Sequence, residues 1–155
     1  MNAECPGGTA VSAECADRSN FAENPCACTA LQELAALSTE LQAEAPWNAL
    51  AIASYCTAGV VGDYDYVESV KLKVRCGTVD GEQVPVHISA SSAGFAGAMP
   101  PSLGELGSLT YLGLDFTAIT SLPTEIAALT GLTALDLPNS AITSLPSELG
   151  ALTGL

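Results

Sequence analysis

Leu109-Thr-Tyr-Leu-Gly-Leu-Asp-Phe-Thr-Ala-Ile-Thr-Ser-Leu-Pro123 is followed, 23 residues on, by Leu132-Thr-Ala-Leu-Asp-Leu-Pro-Asn-Ser-Ala-Ile-Thr-Ser-Leu-Pro146. Leucines recur at the same offsets in both. A fixed period of this length predicts a solenoid, in which each unit buries its apolar edge against its neighbours. Leu109, Leu112 and Leu114, and again Leu132, Leu135 and Leu137, read as short strands with alternate leucines inward. Ile119 with Leu122, and Ile142 with Leu145, take the chain into the core. Pro123 and Pro146 start a return segment that needs no ladder hydrogen bond. Ile126 and Leu129, like Leu149 and Leu152, then seal the far side.

A more diverged copy precedes these. Ile88 and Ala90 are its expected strand residues, after Val84 and Val86, and Phe95-Ala-Gly97-Ala-Met99-Pro100 its turn. The Leu-x-x-Leu-x-Leu spacing with its Leu-Pro-x-x-Ile/Leu-x-x-Leu return resembles the leucine-rich repeat family, and the Phe95–Pro100 turn resembles its plant-type subclass. In place of the family's asparagine ladder stand Ala93, Thr117 and Ser140, of which the Thr117 and Ser140 hydroxyls can bond nearby backbone. The fold class that follows is an α/β leucine-rich repeat solenoid of about three repeats. A short parallel sheet is expected on its concave side.

Residues 28–84 read as a cap over the first strand. Leu31, Leu34, Leu37 and Leu41 recur at helical spacing through an Ala/Glu/Gln-rich stretch, predicting an amphipathic helix that ends near Pro46, before Trp47. Val70, Leu72, Val74 and Cys76 alternate with Lys71, Lys73 and Arg75, a half-buried strand. Asp80-Gly81 is a hairpin turn signal. The order of helix, tryptophan, cysteine, strand and cysteine resembles the disulfide-stabilised helical and β-hairpin cap of extracellular plant-type repeats. That resemblance implies a Cys56–Cys76 bridge, with residues 57–66 as an insertion. It covers residues 28–155; residues 1–27 form a cysteine-containing N-terminal extension, and residues 85–155 the repeats.

Six cysteines, an even number without a Cys-x-x-Cys pair, predict three disulfides and an oxidising, extracellular compartment. Beyond the implied Cys56–Cys76 bridge, Cys5, Cys15, Cys26 and Cys28 form two more whose pairing is open, and their spacing does not suit zinc. Asn2-Ala-Glu-Cys5-Pro is neither basic nor apolar, so a secretion leader is expected to have been removed or to lie upstream in a longer precursor. No apolar run approaches the ~18 residues of a membrane span. A formal charge of −13, with only Arg18, Lys71, Lys73 and Arg75 basic, opposes contact with phosphate backbones or anionic lipid. Nucleic acid and membrane insertion are thereby excluded. No Asn-x-Ser/Thr sequon is present.

Chemistry-bearing constellations are sparse. The single histidine, His87, lies two and four residues before Ser89 and Ser91, but no nucleophile elbow surrounds them. Asp63-Tyr-Asp65-Tyr-Val-Glu68 alternates oxygen donors without the glycine-bearing loop of a calcium site and reads as a solvated acidic loop. No enzyme activity, metal or cofactor is expected. On the concave face, stacking predicts rows of His87, Tyr111 and Ala134; Ser89, Gly113 and Asp136; Ser91, Asp115 and Pro138; and Ser92, Phe116 and Asn139. His87, Tyr111, Asp115, Phe116, Asp136 and Asn139 are therefore the candidate contacts for a protein or glycan partner.

Lys71, Lys73 and Arg75 protect an edge strand or receive an acidic surface, another copy of this chain included. Leu155 starts a further repeat without a polar cap, so Leu135, Leu137, Leu145, Leu149 and Leu152 would line an open edge. Such an edge belongs to a longer array or is covered by another molecule, and head-to-tail covering makes filaments. The leading expectation is an extracellular recognition or adhesion module. The alternatives are a self-assembling filament subunit and an ice- or glycan-binding surface built on hydroxyl ladders of Thr117, Thr120, Ser140 and Thr143.

Overall fold

The computed structural model describes residues 25–38, 71–80, 82–91 and 94–155. One helix, α1 (Pro25–Ala36), opens the described fold. Strands β1 (Lys71–Val79), β2 (Glu82–Ser91), β4 (Tyr111–Asp115) and β6 (Ala134–Asp136) form one sheet in the order β1-β2-β4-β6. Strands β3 (Ala96–Ala98) and β5 (Ala118–Ser121) form a separate parallel pair. Three 3-10 turns, Pro101–Glu105, Thr124–Ala128 and Ser147–Ala151, each follow a proline with extended backbone.

The leucine-rich repeat solenoid with its capped parallel sheet is corrected by this arrangement. Among the described residues, what forms is one helix with a small mixed sheet. β1 and β2 are antiparallel, joined at Asp80 (φ 53°), with an irregularity at Arg75/Cys76. Only β2-β4 and β4-β6 are parallel, His87 facing Tyr111 and Leu112 facing Leu135. The second copy of the repeat contributes just three strand residues, because Pro138 lacks a donor and the far side of β6 pairs with no strand among the described residues.

The expected disulfide-stabilised cap is corrected as well. Cys26, Cys28 and Cys76 are each disulfide-bonded; Cys5, Cys15 and Cys56 lie outside the described residues, and with Cys56 the expected Cys56–Cys76 pairing. The helix ends ten residues before Pro46, at Ala36. It buries Leu31 and Leu34 at 1% exposure, while Leu37 follows its last turn and is only half-buried. Leu41, Trp47 and the 63–68 loop lie outside the described residues. α1 also runs across the expected boundary at residue 28, and β2 across that at residue 85.

A single core joins these elements. Phe95, Ile88, Leu109, Leu112, Ile119, Ile126, Leu129 and Leu132 are fully buried. At the end of α1, Ser38 bridges Phe95, and the Ala96 amide donates to the Leu37 carbonyl. The buried Ser102 hydroxyl donates to the Glu33 carboxylate, tying the first 3-10 turn to the helix. Two threonines hold successive strands together. Thr110 Oγ1 donates to the Val86 carbonyl at 2.8 Å, and Thr133 Oγ1 to the Thr110 carbonyl at 3.0 Å. Gly104 permits the close stacking of the first 3-10 turn on the second: a Cβ there would lie 2.8 Å from the Glu125 carbonyl oxygen.

Burial falls from one copy of the repeat to the next. Leu112, Leu114 and Ile119 are at most 1% exposed, whereas Leu135, Leu137 and Ile142 are half-buried; Leu122 is 7% exposed, but Leu145 is 54% exposed. The same sequence thus meets core on both sides in one copy and on one side in the other.

Candidate functional site

The outward residues of β2, β4 and β6 form a patch of aromatic and acidic groups. Parallel pairing puts His87, Tyr111 and Ala134 in one row, Ser89, Gly113 and Asp136 in the next, and Ser91 beside Asp115 in a third. The rings of His87 and Tyr111 stack with centroids 4.1 Å apart and planes 6° from parallel. Tyr111 pairs with Ala134 through the strand register, but its hydroxyl reaches diagonally and donates to Asp136 Oδ2 at 2.7 Å. To do so the ring lies over Gly113, where a Cβ would stand 2.9 Å from the ring carbon and hydroxyl. A glycine inside a strand is the sequence signal for such an approach.

Asp115 and Asn139 meet at the next level, Asn139 Nδ2 donating to Asp115 Oδ1 at 3.5 Å. Phe116 and Asn139 occupy equivalent places after their strands and both adopt left-handed backbone, φ 52° and 54°. The Phe116 amide donates to the Pro138 carbonyl at 3.2 Å, which fixes the backbone while the ring remains 60% exposed. Asparagine tolerates this conformation; a bulky aromatic rarely adopts it. No motif in the sequence reveals that φ.

The charges act on Tyr111. Its hydrogen bond to the Asp136 carboxylate, then desolvation, then the negative charges of Asp136 and Asp115 raise its pKa above the usual tyrosine value. Raised in the folded state, that pKa makes a stabilising contribution that is complete below about pH 10 and lost as pH rises through the folded value. In ultraviolet difference titration of the wild type against Tyr111→Phe, the phenol at 111 should ionise above the ordinary range. Asp136→Asn should bring it down towards that range, and an unchanged curve for Asp136→Asn would contradict the diagonal bond.

The remaining expected contacts are dispersed. The sheet order puts Lys71, Lys73 and Arg75 on β1 at one edge, and Leu135 and Leu137 at or just beyond β6 on the other. Arg75 is exposed and sits opposite His87. Leu149 is half-buried, Leu152 buried, and Leu155 49% exposed. Thr117 is 4% exposed and its hydroxyl donates to the Leu114 carbonyl, as Ser140 Oγ does to that of Leu137. The expected outward hydroxyl ladder is therefore broken at Thr117, leaving Thr120 and Thr143 exposed.

Among the described residues no group of three or more His, Cys, Asp or Glu side chains could hold a metal ion. Likewise, no helix among them is long and apolar enough to cross a membrane. No protein-family model matches the sequence, and no curated protein matches it.

Proposed function

We propose that this chain is an extracellular, non-enzymatic binding module whose contact surface is the outward face of the sheet around Phe116. The observation that carries this reading is the exposed Phe116 ring on left-handed backbone. Left-handed backbone costs a non-glycine residue roughly 1–2 kcal/mol, and an exposed ring recovers little of that from the core. Asn139 at the equivalent place shows which residue type satisfies the backbone with less strain. Strain kept at a surface aromatic is characteristic of contact sites. Tyr111, held by His87 and Asp136, supplies a second aromatic already fixed in position, which lowers the entropy lost on binding. The disulfides at Cys26, Cys28 and Cys76 support the extracellular assignment.

Photo-crosslinking tests this reading. With p-benzoylphenylalanine in place of Phe116, irradiation in the extracellular fluid of the producing cells should give one adduct of discrete mass. The same group in place of the exposed Ala151 should give none. Equal labelling from both positions, or no adduct from position 116, would count against a contact surface here.

A further inference from the structure

We infer that the occupant of this face is a protein segment bearing arginine, held with its guanidinium against the Phe116 ring and the Asp115 carboxylate. The inference deepens the proposed function and rests on it. Asp115 adjoins Phe116 at the end of β4, and among the described residues the hydrogen bond to its carboxylate, from Asn139, is long at 3.5 Å. An exposed aromatic ring and an accepting carboxylate on consecutive residues match guanidinium, which is planar, stacks on rings and donates in a fork. A lysine ammonium matches only the charge.

Charge over the whole chain agrees with this choice. At −13 the protein attracts cationic partners and resists face-to-face pairing with a second copy. Within the sheet the charges are segregated. β1 carries three of the four basic residues at one edge, while Asp115 and Asp136 lie towards the other. A cationic segment is therefore drawn onto β4 and β6, where Asp115 and Asp136 stand. Asp136 already accepts from Tyr111, which leaves Asp115 as the principal acceptor for the segment.

Fluorescence anisotropy with labelled acetyl-(Arg-Gly)4-amide tests the inference on the whole chain. Phe116→Asn keeps a residue suited to the backbone, and Asp115→Asn keeps the side-chain shape. Each should weaken binding by about threefold to tenfold, whereas the exposed Glu148→Gln, with the same loss of charge, should change it less than about twofold. The lysine counterpart should bind more weakly than the arginine peptide. No measurable binding, or equal weakening by Asp115→Asn and Glu148→Gln, would overturn the inference. So would an adduct at position 116 whose added mass is carbohydrate. A discrete protein adduct at position 116 together with an indifferent arginine peptide would discard the guanidinium and retain the contact surface; absence of both would discard the two together.

Discussion

Phe95→Ala should lower the free energy of unfolding by about 3–5 kcal/mol, the cost of removing a fully buried aromatic and leaving a cavity. Phe95 is 0% exposed and stands where three parts of the chain meet. Its backbone bridges Ser38 after α1, and its carbonyl accepts from the Ala118 amide at 2.8 Å, at the start of β5. The ring belongs to the same apolar cluster as Leu31 and Leu34 of α1 and Leu114 of β4. Small domains are stable by only about 5–15 kcal/mol, so the loss removes a large share. Urea unfolding followed by circular dichroism measures it. Phe116→Asn provides the contrast, since it removes an equally large ring that is 60% exposed and should leave the midpoint unchanged or raise it. A shift below about 1 kcal/mol for Phe95→Ala would show that the core is not centred there.

The second large effect compares one leucine with its copy. Leu112→Ala should cost about 3–4 kcal/mol, while Leu135→Ala, 23 residues later in a nearly identical sentence, should cost roughly 1–2 kcal/mol. Leu112 is 0% exposed, with β2 on one side of its strand and β6 on the other. Leu135 is half-buried and, among the described residues, pairs with Leu112 alone. Part of its surface is in water before the mutation and so contributes nothing to the loss. Both values come from the same urea experiment. Equal costs would mean that the two copies are packed alike, against the burial gradient from Leu112, Leu114 and Leu122 to Leu135, Leu137 and Leu145.

The candidate site was partly legible. Alternation within Tyr111-Leu-Gly-Leu-Asp115 assigns tyrosine and aspartate to one face and leucines to the other, and a 23-residue step places Asp136 beside Gly113. The diagonal reach of Tyr111 to Asp136 was not legible, because it depends on how far the ring swings over Gly113. Thr117 was legible in two ways, as a hydroxyl bonding nearby backbone in place of a ladder asparagine and as part of an outward ladder; its bond to the Leu114 carbonyl is the first of these. The stacking of His87 on Tyr111 joins residues from two strands whose register a pattern of leucines suggests but does not enforce.

By itself the sequence determined the local grammar: which stretches form strands, where proline starts a return segment, and that the hairpin turns at Asp80. These follow from period, side-chain volume and backbone preference within a few residues. Tertiary structure alone decided that the repeat ends in a small mixed sheet, that α1 stops at Ala36, that Phe116 takes left-handed backbone, and that Leu112 is buried while Leu135 is not. Local preferences are the same in both copies of the repeat. Burial is not, because it is set by what lies on either side of a strand, and those neighbours come from distant parts of the chain.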